Sequence, residues 1–347
     1  MNFKGASWVV AYTLAAPFSL PRHHTTTKMK LLRILPMLLG LFIFTACGED
    51  ENEYYLGGEK PSSTPTTQSN STNNNQNSTS QNEYVGRLEF PHVRGGNSLV
   101  VVHTDTLNSQ TKEWGVNYSL EWDTDLHAQR WCCYQMNSSL RQTNTRRYEG
   151  DRKQSLTPES PYPNDPFLDE RYQFTVDPFW GSGYDHGHIC ASADRLASRQ
   201  SNYQTFFLTN MMPQVNDFNA GIWAVMEAKV RDWSRNYKTL YVCKGGTIDS
   251  ASNIIRYLGS GMNRIPVPKY FFMALLGETS QGQYTAIGLW IEHKSGIDQN
   301  TNVGTYAKNI HELEELTGID FFCNLPDGDE EEIENRNISN LKAVWGL

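Results

Sequence analysis

Strand-length apolar runs recur along this chain with only two helix-length patterns between them, and that ratio constrains the fold more than any other feature. Residues 85–90, 98–103, 114–122 and 127–136 follow one another with no helix between them. Ser98-Leu-Val-Val-Val-His103 is β-branched, and Asn117-Tyr-Ser-Leu-Glu-Trp122 alternates apolar with polar, as a half-covered strand does. Residues 204–209, 239–243, 270–276 and 284–291 read as further strands, with Gly245-Gly246 as a turn after the second of these. Helical spacing appears in residues 221–235, where Ile222, Trp223, Val225, Met226, Val230 and Trp233 recur, with Asn216 or Asp217 as the cap. It appears again in residues 307–317, which Gly318 is suited to end. Parallel strands need a crossover between them, usually helical. This order therefore predicts an α+β fold with a mostly antiparallel central sheet flanked by helices. Residues 137–180 are polar, Pro-rich and aperiodic, and loops of that length are usually functional.

The first part of the chain does not read as folded domain. An apolar run over residues 31–44 follows Lys28 and Lys30, contains Arg33, and ends at Thr45-Ala46-Cys47. A basic start, a short apolar stretch and small residues describe a secretory signal, too short to span a bilayer comfortably. The segment resembles a bacterial lipoprotein signal, with Cys47 lipidated as the mature N-terminus, although Phe44 stands where leucine is commoner. An ordinary signal peptide or an uncleaved anchor is the alternative. Met29 fits as the start, which makes residues 1–28 an upstream extension. The expected location is the bacterial cell envelope, lipid-anchored to the outer membrane. The acids of Gly48-Glu-Asp-Glu-Asn-Glu53 suit surface display, and also suit a merely solvated stretch, so the periplasmic face stays open. Residues 48–83 are expected to be a disordered polar tether, and 84–347 the domain.

Charge and cysteines set further bounds. The net charge of −8 is unlike that of a typical nucleic-acid binder. Acids are concentrated in the tether and in Asp327-Gly-Asp-Glu-Glu-Glu-Ile-Glu334, while Arg130, Arg141, Arg146, Arg147, Arg152 and Lys153 form a local basic stretch. With Cys47 lipidated, Cys132, Cys133, Cys190, Cys243 and Cys323 allow at most two disulfides. Adjacent Cys132 and Cys133 point to opposite faces of a strand.

The chemistry concentrates in Gly181-Ser-Gly-Tyr-Asp-His-Gly-His188 and the segment after it, Asn210-Met-Met-Pro-Gln214 with Asn219-Ala-Gly-Ile-Trp223-Ala-Val-Met-Glu227. Phosphodiester hydrolysis needs a base for water, a cation against the phosphate and help for the leaving oxygen. His188 suits the base. Gly187 beside it would let the chain turn tightly, and Asp185 could orient a histidine or a loop amide. Magnesium prefers oxygen ligands and keeps several waters. Asn219 could supply one oxygen and Glu227 could steady the ion's water or the amide, about two helical turns on.

These blocks resemble the DNA/RNA non-specific endonuclease family, a ββα-metal group that includes mitochondrial endonuclease G. The family pattern is Gly-Ser-Gly-[Tyr/Phe]-Asp-Arg-Gly-His, then [Phe/Tyr]-x-Leu-[Ser/Thr]-Asn-x-x-Pro-Gln, then Asn-x-x-x-Trp-x-x-x-Glu. The likeness covers about residues 118–326, and Leu316-Thr-Gly-Ile-Asp-Phe-Phe resembles its C-terminal block. The resemblance implies a ββα-metal active site with His188 as general base, Asn219 as direct Mg2+ ligand, and Asn210 and Glu227 as active-site support. Mn2+ is an acceptable substitute ion. Asp185, His186 and Gly187 form the supporting loop, and His186 stands where the family keeps arginine. An upstream arginine that stabilises the phosphate is assigned to Arg146 first and to Arg147 next. The implied activity is magnesium-dependent cleavage of DNA and RNA to 5′-phosphate ends, without strong sequence preference. Oligomeric state stays open, a homodimer included. Two other readings stand beside it. One is a zinc hydrolase using His186, His188 and Cys190. The other is a non-catalytic surface lipoprotein that binds nucleic acid or a protein partner.

Overall fold

Three long strands, β1 (Ser98–Asn108), β2 (Glu113–Asp123) and β3 (Ala128–Asn137), form an antiparallel meander in the computed structural model, which describes residues 72–347. The chain then leaves the sheet and contributes β4 (Asp185–His188), α1 (Arg199–Gln204), β5 (Met211–Gln214) and α2 (Ala224–Trp233). It returns as β6 (Thr239–Gly246), makes a small ribbon of β7 (Ile254–Leu258) and β8 (Ile265–Pro268), and completes the sheet with β9 (Tyr270–Glu278), β10 (Tyr284–Glu292) and β11 (Ala307–Lys308). The sheet order is β1-β2-β3-β6-β9-β10-β11, and every pairing in it is antiparallel. Helices α3 (Ile310–Thr317), α4 (Asp327–Glu334) and α5 (Ile338–Trp345) follow. The α+β expectation holds.

The sheet is covered on both faces, so its central strands read as nearly continuous apolar runs. Successive side chains on a strand alternate sides. Cys132, Tyr134 and Met136 of β3 accordingly join a core with Leu120, Ile189, Trp223 and Met226. Trp131 and Cys133 join the opposite core with Tyr241, Phe272, Leu313 and Phe321. Burying each such large side chain contributes about 1.5–3 kcal/mol. The five described cysteines are buried free thiols.

Several expected elements move. Residues 85–90 are not a strand; a 3-10 turn at Glu83–Gly86, capped by Asn82, precedes irregular chain. Residues 204–209 form the turn between α1 and β5, and the strand comes later, at Met211–Gln214. A short unbroken apolar run shows burial, not period. Gly245-Gly246 ends β6 and does not turn it; a Cβ on Gly245 would lie 2.7 Å from the Arg130 carbonyl oxygen, so close packing demands glycine there. Helices α4 and α5 were not expected. The acidic run becomes α4, Asn337 caps α5, and Gly346 closes it at φ 65°.

The domain also starts earlier than residue 84. Asn77 is buried and donates to the Val85 and Pro91 carbonyls at 3.1 and 2.9 Å. Asn73 donates to the Cys323 carbonyl at 2.8 Å. Residues 72–83 thus lie against the domain, because asparagine side chains can supply strand-like hydrogen bonds without apolar burial. The leader, Cys47 and the rest of the tether fall outside the described residues. No helix among the described residues is long and apolar enough to cross a membrane.

Candidate active site

Strands β4 and β5 pair antiparallel, with Asp185 opposite Gln214 and His188 opposite Met211, and a wide π-type turn over Phe218–Trp223 leads into α2. This is a two-strand-and-helix unit with the signature residues along it. Gly181 and Gly183 have φ of 71° and 82°, which L side chains rarely adopt. Gly187 serves differently from the expectation. It lies inside β4, and a Cβ there would meet the Gln214 side chain at 2.4 Å, so close approach excludes any larger residue. Gly221 breaks the turn before α2, with φ −101° and ψ −114°. Asn219 and Glu227 therefore do not share one regular helix. Neither Asn216 nor Asp217 caps it: Asn216 donates to Asp185, and Asp217 accepts from the Gly296 amide.

A cleft of about 980 Å³ gathers Arg147, Asp185, His186, His188, Asn219 and Glu227. Asp185 Oδ2 accepts from Asn219 Nδ2 at 3.0 Å and from Asn216 Nδ2 at 3.0 Å. Asp185 thus orients the side-chain amides of Asn216 and Asn219, where a histidine or a loop amide was expected. Asn219 Oδ1 has no protein donor among the described residues. Glu227 Oε1 lies 3.3 Å from Lys244 Nζ, and the Lys244 side chain is 1% exposed beneath the cleft. Burial raises the Glu227 carboxyl above its ordinary range, while Lys244 pulls it back down. Lys244 also lies over Tyr134 and Trp223, at 5.4 and 5.7 Å from the ring centroids.

His188 is packed edge-to-face on Phe206 at 4.8 Å, and its Nε2 is covered and accepts no protein hydrogen bond. Burial, then the charges of Arg147 and His186, lower its pKa to about 3, against a hydrogen bond to the His186 backbone that raises it. The ring is therefore neutral at pH 7. His186 stacks between Tyr162 at 3.7 Å and Phe179 at 4.3 Å, and its Nε2 meets Asp177 Oδ2 at 3.0 Å.

Three expectations are corrected here. Asn210 is buried outside the cleft, where its Oδ1 accepts from the Cys190 amide at 2.8 Å and its Nδ2 donates to the Cys190 carbonyl at 2.9 Å. It anchors the chain just after β4 and is not among the residues that line the cleft. Arg146 is exposed and stays outside the cleft, while Arg147 lines it and lays its guanidinium over Phe206 at 4.7 Å. The zinc set does not form. Cys190 is buried in the core, and the one group of at least three His, Cys, Asp or Glu among the described residues whose ligand atoms converge within 4.8 Å is Glu314, Asp320 and Glu334. The basic stretch also divides: Arg130 is buried against Glu121 and Asp249, and Arg141 donates to the Ser234 carbonyl, while Arg147, Arg152 and Lys153 line the cleft.

The model of the family described as DNA/RNA non-specific endonuclease matches residues 96–328. The chain belongs to that family. The match takes in all the cleft residues named above, from Arg147 to Lys244, and reaches into α4. Among curated relatives, this endonuclease-family chain is 31% identical over 178 residues to a nuclease of Syncephalastrum racemosum, covering 48% of this chain and 55% of that protein. It is 28% identical over 184 residues to human mitochondrial endonuclease G, covering 52% and 60%. A nuclease of Nostoc sp. matches at 26% over 227 residues, covering 63% and 76%. The chain thus spans little more than half the length of the first two relatives.

Sequence reading of this family member missed Lys244 and Tyr162, and gave Phe206 only as a motif position. Lys244 did leave a signal, as the lone charge in the apolar run Leu240-Tyr-Val-Cys-Lys-Gly-Gly246. A charge in a buried strand requires a partner.

Proposed function

We propose that this chain is a divalent-metal-dependent endonuclease that hydrolyses phosphodiester bonds of DNA and RNA without strong sequence preference. One observation carries the reading: a neutral His188 and an Asn219 carbonyl share a cleft with Arg147. The relatives' names, nuclease and endonuclease G, support it.

The residues present fit a hard cation. Asp185 occupies the amide end of Asn219 and leaves its carbonyl oxygen, and Glu227 adds a carboxylate in the same cleft. Oxygen donors of this kind suit Mg2+, with Mn2+ able to replace it. Asn219 would hold the ion and Glu227 would support it. When bound, the ion supplies positive charge against the phosphate and the leaving oxygen.

The chain's own residues do the rest. Arg147 pairs with a non-bridging phosphate oxygen. A His188 ring nitrogen takes a proton from water, and in-line attack forms the new P–O bond as the P–O3′ bond breaks; O3′ leaves as a 3′-hydroxyl with a proton from solvent, and a 5′-phosphate remains. A base held at about 3 is weak toward free water. The incoming phosphate offsets the charge of Arg147 and raises the affinity of the ring for a proton, so the base strengthens when substrate is present. Phosphate contacts carry no sequence information directly. We also propose, from the likeness of the leader to a lipoprotein signal alone, a location in the bacterial envelope with a lipid anchor at Cys47.

The test is digestion of plasmid and of RNA by the full chain with Mg2+ or with chelator. Cutting of both that stops with chelator and with His188→Ala is expected. Failure to cut either substrate, or full activity in His188→Ala, rejects the proposal.

A further inference from the structure

Trp180 lines the rim of the cleft and is 84% exposed. Among the described residues its indole has no hydrogen bond and no ring partner. Tryptophan is highly buried on average, so an isolated bare indole at the mouth of a site needs an explanation.

Its turn is not a loose loop. Asp177 Oδ1 accepts from the Phe179 amide at 2.9 Å, and the Trp180 amide donates to the Asp177 carbonyl at 3.4 Å. Asp177 Oδ2 meets His186 Nε2 at 3.0 Å, and the buried Phe179 ring stacks on His186 at 4.3 Å. The residue that replaces the family's arginine thus fastens this turn to β4, two positions from His188. Trp180 is held at a set place relative to the reacting centre. Arg152 and Lys153 also line the cleft, are exposed, and have no acidic partner among the described residues. Bare cations and a bare aromatic face in one cleft match a phosphate chain carrying bases.

We infer that Trp180 is a stacking platform for an unpaired nucleobase next to the phosphate that is cut. This rests on the proposed nuclease reading and adds a base subsite to it. Stacking serves every base alike, because each has a π face, and it requires a base that is out of a duplex. The subsite therefore selects unpaired strands without selecting sequence.

The test measures binding of the full chain in chelator, with no cleavage, by anisotropy of labelled single-stranded oligothymidylate and of an abasic phosphodiester oligomer of equal length. Trp180→Ala should weaken oligothymidylate binding about tenfold and leave abasic binding unchanged, and Trp180→Phe should recover most of the loss. Equal weakening on both oligomers, or no change on oligothymidylate, overturns the inference. The two readings fail separately. Cleavage without the Trp180 effect rejects the subsite alone. The Trp180 effect in a chain that cuts nothing rejects the nuclease and leaves the subsite.

Discussion

Asp185 Oδ2 accepts a 3.0 Å hydrogen bond from Asn219 Nδ2, and that contact decides which end of the amide faces the cleft. A carboxylate can only accept, so the Asn219 amide nitrogen must face it and the carbonyl oxygen is left for a cation. Asp185→Asn removes that rule and lets the Asn219 amide turn over. Loss of a group that orients a metal ligand commonly costs about 10–100-fold in metal affinity or activity. Asp185→Asn should therefore need more Mg2+ for half-maximal cleavage and regain part of its rate at high Mg2+. A metal titration of the cleavage rate checks this; an unchanged metal requirement contradicts it.

Lys244 sits under Glu227 as the buried half of an ion pair. Lys244→Met removes the nearer of two cations that stabilise this carboxylate and leaves Arg231, so it should cost less than the about 3–5 kcal/mol of a fully buried pair that is broken. It also raises the Glu227 carboxyl further, since the lysine pulls it down. The acid limb of the kcat/KM profile should then move upward in pH. Lys244→Arg keeps the charge and should keep the limb in place. Denaturant unfolding and a pH–rate profile test the two parts separately.

His188 gives the opposite sign from the usual histidine. Its folded-state pKa is lowered, to about 3, beneath an unfolded value near 6.5. As pH falls below about 6.5 the unfolded chain takes a proton that the folded one refuses, so stability declines toward pH 3; above 6.5 the group contributes no slope. His188→Asn should remove this decline, worth about 1–2 kcal/mol by pH 5. The His188 Cε1–H resonance should stay at its neutral position from pH 8 to pH 5. A midpoint near 6.5 in that titration would contradict the burial argument.

Much of the site is legible in the sequence because its members lie in short blocks. Asp185, His188, Asn219 and Glu227 all line the cleft, in keeping with what the family resemblance implies, whereas Asn210 does not. What fails is whatever depends on the path of an irregular chain. Arg146 and Arg147 are neighbours in a loop with no period, so nothing in their order tells which faces inward. Asn210 falls in the motif, yet it binds the Cys190 backbone, since motif membership does not separate chemistry from bracing. Phe206 and Tyr162 look like ordinary core residues until the fold brings them to the two histidines. Most strands of the sheet are readable from their apolar runs, while α4 is hidden because its acids resemble a solvated run.

The carboxyls of α3 and α4 should make the protein alkali-sensitive. Burial pushes Glu330 up to about 8, and the Glu314–Glu334 pair, which shares a proton, is raised as well. These folded-state values exceed the unfolded ones, so the stability they give is present at low pH and lost as pH rises from about 5 through about 8–9. Glu334→Gln mimics the protonated form and should raise Tm at pH 8.5 by about 2–4 °C, with little change at pH 5. Thermal melts of both proteins at the two pH values decide it. A gain at pH 5 equal to that at pH 8.5 contradicts a titrating cluster.

Arg147 and Arg146 provide the sharpest test of the cleft's geometry. Arg147 lines the cleft over Phe206, the ring that also supports His188, so its charge lies where a phosphate must come to reach the base. Arg146 is not among the residues that line that space, although both arginines are exposed. Losing one preorganised donor to developing charge costs about 10²–10³ in kcat. Arg147→Ala should fall by that order, while Arg146→Ala should stay within a few-fold of wild type. Arg147→Lys should recover little, because lysine offers a point charge and lacks the planar face that stacks on Phe206. Because Arg147 also lowers the His188 pKa, Arg147→Ala should bring the His188 resonance into titration at higher pH, a change that a merely misfolded variant would not show. If instead Arg146→Ala is the variant that loses activity, the phosphate lies on the other side of this loop and the cleft assignment is wrong.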